Sequence, residues 1–572
     1  MPESVSNAIA GFDIRTRAVP TDLTSLHANP LLHRLYAARG IRSSDQLDTS
    51  LAGLLPWQSL KGIDQAIDLL INARTEHQRV LIIGDYDTDG ATATALAVLG
   101  LRSMGLSVDF LLPNRFEYGY GLSPEIVDLA LTKAPDLIIT VDNGIASFDG
   151  VARAKAAGVR VLITDHHLPA EGLPQADAII NPNQPGCAFA SKAACGCTVF
   201  YYLLIALRAR LRAEQVADLP NLGQWLDLVA VATVADVVPL DANNRRLVQQ
   251  GLQRIRKGQC RLGIKALFSV AGRSWQTARA ADFGFVVGPR LNAAGRLDDM
   301  TIGVALLLAD NELEATTLAQ QLQDLNMERR QIEASMLHDV EVKMGRLVLD
   351  STQHGCVIYG DDWHEGVIGI LASRVKDRIH RPVIALAPGD NGLLKGSARS
   401  VVGVHLRDSL DWISKQQPQL LEKFGGHAMA AGLTLKAENL DALRHWFDLA
   451  IAHFSEPDAL TAHLWTDGGL PAEWLTLENA LMLESAGPWG QAFPEPYFVG
   501  TWTLVAQKIL AEKHLKMTLL CGQQQIQAIA FNVDLDQWPT QRSQVRGVYQ
   551  LSCNRFRGEE SLQLMFNRLE PV

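Results

Sequence analysis

No stretch of this 572-residue chain holds the roughly 20 consecutive apolar residues that a membrane-spanning helix requires. Its N-terminus lacks the basic-then-apolar pattern of a secretory leader, so a cytoplasmic location is expected. Basic residues are in deficit, with 52 Lys and Arg against 62 Asp and Glu and a net charge of −10. That argues against a protein that coats nucleic acid nonspecifically. A local basic groove stays compatible, because binding follows the distribution of charge rather than its sum. The seven cysteines never adopt the Cys-x-x-Cys spacing of common zinc sites. Cys187, Cys195 and Cys197 are read instead as reduced, partly buried thiols of a reducing compartment. Internal repeats and low-complexity tracts are missing too. What remains is an ordinary globular composition, 47% hydrophobic and 20% charged, in a chain long enough for about three or four domains.

What is present is acid at the ends of apolar runs. Val80–Gly84 leads into Asp85-Tyr86-Asp87-Thr88-Asp89-Gly90, Leu137–Val141 into Asp142-Asn143-Gly144, and Val161–Thr164 into Asp165-His166-His167. A fourth run closes on Val234-Ala235-Asp236, and all four look strand-like at their ends. In an open parallel sheet, groups at the carboxyl ends of neighbouring strands converge on one crevice. Converging carboxylates repel, so either one titrates abnormally or a cation neutralises the set. Oxygen-rich clusters with one or two imidazoles suit Mg2+ or Mn2+. One Asp before a helix is an ordinary cap, but three at alternate positions exceed that need. Asn143-Gly144 alone is a turn signal, and Asp236 gains weight only as a fourth member.

Strands alternating with amphipathic segments from about 60 to 185 predict βαβ units and a parallel sheet. Helices are expected at 91–101, 124–131 and 148–157, then at 199–211 and 226–234. Residues 311 to about 342 carry no Gly or Pro and repeat apolar residues at helical spacing, which predicts a long helix joining two lobes. A second α/β pattern begins at Gly355, and short β-like runs at 501–506, 516–520, 527–531 and 547–555 fit a small barrel. The expected division is an N-terminal appendage packing on the first domain (1–55), an α/β domain (56–310), a connecting helix (311–345), a second α/β domain (346–456) and the barrel (457–572).

These motifs in this order resemble the DHH phosphoesterase superfamily. The second domain carries His364-Glu365-Gly366-Val367-Ile368-Gly369-Ile370 and Phe424-Gly425-Gly426-His427-Ala428-Met429-Ala430-Ala431-Gly432, similar to the DHHA1 domain associated with that superfamily. Tyr549–Gly558 matches a strand and turn of the OB-fold found in its longer members. Gly84-Asp85-Tyr86 stands where pyrophosphatase relatives carry a histidine, which fits the nuclease branch.

The resemblance implies that Asp87, Asp89, Asp142, His166 and Asp236 ligate one or two Mn2+ or Mg2+ ions, with Asp142 the best bridging candidate. Asp85 would be a ligand or an immediate neighbour. His167 would contact the scissile phosphate or assist proton transfer, with Asp165 beside it. Arg290, Asn292 and Arg296 would line the cleft and hold backbone phosphates, unless they are solvated helix-surface residues. Ser397, Arg399, Gly425, Gly426 and His427 would seat a 5′ phosphate or the first nucleotides. In the barrel, Lys508, Lys513, His514 and Lys516 would supply charge, and Phe531 or Phe556 a stacking surface.

The activity so implied is 5′→3′ hydrolysis of single-stranded DNA to 5′-mononucleotides. The setting would be repair or recombination, with a single-strand-binding protein and a helicase as partners and a monomer as the working form. Two rivals stay open at this point. One is a phosphodiesterase of short oligonucleotides or cyclic dinucleotides, which the chain length disfavours. The other is a noncatalytic DNA-binding scaffold, which the intact motifs disfavour.

Overall fold

Short, largely apolar runs form the strands of the first lobe, three of them leading straight into an Asp. These are β1 (Arg79–Gly84), β2 (Ser107–Leu111), β3 (Leu137–Val141), β4 (Arg160–Thr164) and β5 (Ala178–Ile180), in the spatial order β2-β1-β3-β4-β5 and all parallel. The computed structural model describes residues 8–572 apart from 10, 24, 119–120, 345–352, 390–391, 457, 534–537, 539–543 and 557. The expected boundary at 345/346 lies outside the described residues.

Alternate strand residues serve opposite faces of the sheet. Val80, Ile82, Leu137, Ile139 and Leu162 pack with α1 (Thr88–Ser103), α4 (Gly196–Ala213) and α5 (Leu226–Ala235). Leu81, Ile83, Ile138, Val161 and Ile163 pack with α2 (Pro124–Leu131) and α3 (Phe148–Ala156) on the other face. The chain leaves β1 toward β2 on one side, while β3 lies on the other. The strand order therefore reverses between β1 and β3, where ligands of open α/β sheets bind.

The run ending at Asp236 looked strand-like but is the helix α5, in line with the helical reading of 226–234, and Asp236 is its C-terminal cap. Its continuous apolarity reflects burial on every side rather than a strand period. A π-helical turn (Phe283–Val287) then leads into α6 (Gly288–Leu297). The predicted long helix is α7 (Glu312–Met344). Its first half buries Ala315, Ala319 and Leu322 against the first lobe, and its second half buries Met336 and Val340 against the second. Glu333, buried on α7, bridges Arg329 at 2.7 Å and Arg374 of the second lobe at 2.9 Å.

The second lobe comprises β6 (Cys356–Tyr359), α8 (Ile368–Ile379), β7 (Val383–Pro388), β8 (Leu393–Arg399), α9 (Leu406–Gln416), β9 (Lys423–Gly426), β10 (Ala430–Lys436) and α10 (Leu440–Phe454). Its sheet is mixed, ordered β9-β10-β8-β7-β6, with only β6 and β7 parallel. The C-terminal barrel is closed by β11 (Phe498–Leu510), β12 (His514–Cys521), β13 (Gln524–Ala530), β14 (Gln544–Phe556) and β15 (Glu559–Pro571). The strand β15 was not anticipated. Its inward Leu564 and Phe566 flank an apolar Met565, so the run does not alternate, and it opens on two glutamates.

The N-terminal segment touches the first lobe, through Arg245 donating to Gln46 O, but it also reaches the far end of the chain. Phe12–Thr16 pairs in parallel with His463–Thr466. Arg39, fully buried, grips Asp467 with two nitrogens at 2.9 and 3.0 Å. Truncating one partner of a buried pair strands the other charge. Arg39→Ala is therefore expected to destabilise this corner by about 3 kcal/mol, read as a lowered urea midpoint.

Candidate active site

Three adjacent parallel strands deliver the predicted acids to one place. Asp87 caps α1, accepting from Gly90 N at 3.0 Å, so the expected helix begins slightly earlier, at Thr88. Asp85 accepts from Tyr86 N at 2.8 Å. Asp142, at the end of β3, has a left-handed backbone (φ +62), a conformation rare outside glycine that clusters at functional sites. His166 Nε2 lies 3.1 Å from Asp142 Oδ1, 3.5 Å from Asp236 Oδ2 and 3.9 Å from Asp89 Oδ2. Three overlapping groups, Asp85/Asp87/Asp142, Asp89/His166/Asp236 and Asp142/His166/His167, each bring their donor atoms within 4.8 Å of one another.

The electrostatics are those of a cation site. Asp89, Asp142 and Asp236 are all pushed above the ordinary carboxylate range, first by burial. For Asp142 and Asp236 the negative charges of Asp89, Asp87 and Asp85 add to the effect. His166 is pushed down, chiefly by burial, which keeps its imidazole neutral and able to ligate. Among the described residues, the buried atoms His166 Nε2 and Asp236 Oδ2 make no hydrogen bond. Buried polar atoms are otherwise paired almost without exception. Hard oxygen donors with one imidazole, aimed together and repelling one another, fit divalent Mn2+ or Mg2+.

Asp165 has a different job. Its Oδ1 accepts from His166 N (2.7 Å), His167 N (3.0 Å) and His167 Nδ1 (2.7 Å), and its Oδ2 accepts from Ile145 N (2.9 Å). Burial alone would raise its pKa, but the His167 hydrogen bond and charge outweigh it and the group is held low. The same pair raises His167 to about 9: burial opposes the charge, and Asp165, Asp85 and Asp87 together overcome it. His167 is thus an imidazolium at neutral pH when no cation neutralises the acids. Its ring stacks on His427 of the second lobe, with centroids 6.1 Å apart and planes 16° from parallel.

Several contributors had no signal of their own in the sequence. Asp89 accepts from Gly196 N at 2.6 Å and Cys197 N at 2.9 Å, the first turn of α4. The Cys195-Gly196-Cys197 stretch, read only as thiols, is a backbone cradle for the Asp89 carboxylate. A Cβ on Gly196 would stand 2.6 Å from Asp142 Cβ. Gly196→Ala should displace the helix or Asp142 and lower activity at this centre about 100-fold, with an unchanged circular dichroism spectrum; steady-state rates check it. Asn143 Nδ2 donates to Ile83 O and Val141 O, tying the strand ends together. Asn181 and Asn183 donate to His167 O and His166 O, so Asn181-Pro182-Asn183 after β5 was the overlooked fourth strand end.

The remaining candidates divide. Asn292 Oδ1 accepts from Thr88 N and Thr88 Oγ1, so it buttresses the turn between Asp87 and Asp89. Arg296 Nη1 donates to Gly366 O at 3.2 Å, crossing between lobes. Arg290 differs from expectation. It is buried, donating through Nε to Gln323 on α7 and through Nη1 to Val286 O, so the bidentate phosphate grip expected of it is not how its donors are used. Arg399 Nη1 donates to Ser397 Oγ at 2.9 Å, and both side chains lie against Gly369 in the first turn of α8. Gly426 has φ +140 and no room for a Cβ, whereas Gly425 faces open space. In the barrel, Phe531 (51%) and Phe556 (63%) are exposed, and Phe531 packs edge-on against His514.

Residues 79–233 match the DHH family, N-terminal domain, residues 352–453 the DHHA1 domain, and residues 466–568 the RecJ OB domain. The chain is 50% identical over 554 residues to the single-stranded-DNA-specific exonuclease RecJ of Escherichia coli, covering 95% of this chain and 96% of that protein. It is 52% identical over 558 residues to the protein of the same name from Dickeya dadantii, covering 95% and 96%. The crystal structure of RecJ in complex with Mn2+ from Thermus thermophilus superposes with a TM-score of 0.80 at 30% identity, covering 96% of this chain and 77% of that one.

Proposed function

The chain belongs to the RecJ family of single-stranded-DNA-specific exonucleases, and on that premise we propose that it degrades single-stranded DNA from its 5′ end, releasing 5′-mononucleotides. It is a nuclease that depends on Mn2+ or Mg2+. The observation that carries this reading is His166 Nε2 lying within 4 Å of carboxylate oxygens from three separate chain segments, Asp89, Asp142 and Asp236.

Asp87, Asp89, Asp142, His166 and Asp236 would hold the ions, with Asp142 the candidate shared ligand and Asp85 a ligand or immediate neighbour. Bound there, such ions supply a nucleophile at neutral pH and neutralise charge on the phosphoryl oxygens. The chain's own residues do the rest. Asp165 is a positioning residue that fixes the His167 ring through Nδ1, leaving Nε2 to hold a proton toward a phosphate oxygen. Arg399 and Ser397, at the N-terminus of α8, present positive charge and a hydroxyl to a terminal 5′ phosphate, and helix N-termini favour anions. His427 brings the second lobe onto His167, so the substrate lies between lobes. A cleft that admits one strand excludes a duplex.

Single-strand-binding protein and a helicase, as partners in repair or recombination, and a monomeric cytoplasmic enzyme complete the proposal. The test is purified protein with strands labelled at either end, with and without chelator. Labelled mononucleotide should appear first from the 5′ label and only with the cation present. Early release from the 3′ label, or turnover in chelator, would overturn it. Preference for dinucleotides over long strands would favour the oligonucleotide phosphodiesterase instead.

A further inference from the structure

The π-helical turn at Phe283–Val287 and α6 pack beside the acidic centre, the turn against the end of α5 and α6 against Thr88. Thr88, between Asp87 and Asp89, donates its hydroxyl to Gly288 O and to Asn292 Oδ1. Further along, Arg296 reaches Gly366 across the cleft. Pro289, Asn292 and Arg296 follow one another on α6 at spacings of three and four, so they share a face. On that face Asn292 meets Thr88 and Arg296 meets Gly366, and Phe285, in the π-helical turn just before it, has 82% of its surface exposed.

Its neighbour is equally unusual. Val234 O accepts from Val237 N at 3.2 Å, and the same carbonyl lies 3.9 Å from where a Cβ on Gly284 would stand. Val237, the residue after Asp236, is left-handed (φ +59), a position at a helix end normally taken by glycine and costly for a β-branched side chain. The strained backbone leaves the side chain 63% exposed. Phe283, Val286 and Val287 of the same turn are buried, so the turn has a core-facing side and Phe285 is not on it. π-helical turns of this kind recur at functional sites.

We propose that Phe285, exposed in the turn that packs against the Asp236 end of α5, is a platform on which an unpaired base of the substrate strand stacks beside the scissile phosphate. The proposal rests on the nuclease reading and deepens it. Every nucleobase offers a π-face, so stacking tolerates any sequence, as a nuclease without sequence preference requires. A base held in a duplex keeps both faces covered by its neighbours. The platform therefore favours unstacked single strands by chemistry as well as by cleft width.

The experiment compares steady-state constants on a homopolymeric single strand for wild type, Phe285→Ala, Phe285→Trp and Leu313→Ala, with Mn2+ present. Leu313 is about as exposed as Phe285 but lies in the first turn of α7, outside the π-helical turn and α6. Phe285→Ala should raise KM about tenfold, the worth of one base–aromatic stack, with a much smaller fall in kcat. Phe285→Trp should restore it, and Leu313→Ala should leave both constants unchanged. Strands with abasic nucleotides near the 5′ end should slow wild type and lose that extra penalty in Phe285→Ala. An unchanged KM in Phe285→Ala, or an abasic penalty as large as in wild type, overturns the platform. Failure of wild type to degrade any strand would overturn the nuclease reading itself.

Discussion

Asp142→Ala should lower the rate of strand degradation by about 10⁴-fold or more, in saturating Mn2+ and with the fold retained. Asp142 is the residue common to both sides of the centre. Its oxygens group with Asp85 and Asp87 on one side and with His166 and His167 on the other. Removing it deprives the site of its shared carboxylate. Losing a peripheral donor such as Asp85 should cost far less, because Asp85 also serves its own turn through Tyr86 N. Retention of the fold follows from the electrostatics. Asp142 is buried among like charges, so deleting it relieves repulsion. Single-turnover release of labelled nucleotide measures the loss, and thermal melting in chelator should show Asp142→Ala at least as stable as wild type.

The second large effect links metal, pH and stability. Asp89, Asp142 and Asp236 all have native pKa values above their unfolded ones, with burial the main cause. Above the unfolded value of about 3.9, the native state binds more protons than the unfolded chain. Stability of the metal-free protein therefore falls as pH rises from there through the raised native values. Cations reverse this, because they bind the ionised acids of the native state alone. At a hundredfold excess over Kd, binding contributes about 2.7 kcal/mol per site, or roughly 5–10 °C in Tm for a domain of this size. The gain from Mn2+ should be larger at pH 7.5 than at pH 5.5. Differential scanning fluorimetry at both pH values, with chelator and then with Mn2+, checks it. An equal gain at both would place the bound ions away from these carboxylates.

Much of the site was legible because its chemistry is local. A strand that ends in Asp announces both its period and its acid within a few residues, and three such ends did so. The long helix over 312–344 was equally plain, since nothing in it breaks helical spacing. Contributions that act through the backbone left no such mark. The amides of Gly196 and Cys197 hold Asp89 from more than a hundred residues away, and no side-chain pattern advertises an amide. Arg290 misled for a related reason. A guanidinium reads as cleft-facing by its charge, and only the packing of α6 on α7 shows it turned toward Gln323. Asp236 joins the acids from the end of a helix rather than a strand: 226–234 reads as helical, but full burial of α5 blurs its period so that its last residues look strand-like. The pairing of Phe12–Thr16 with His463–Thr466 spans nearly the whole chain, beyond the reach of any local pattern.

Anomalous diffraction from crystals grown with Mn2+ tests the central claim most directly. The account predicts manganese peaks enclosed by Asp87, Asp89, Asp142, His166 and Asp236, lost when Asp142 is replaced by alanine. Manganese bound elsewhere, with these five side chains left unligated, would contradict it.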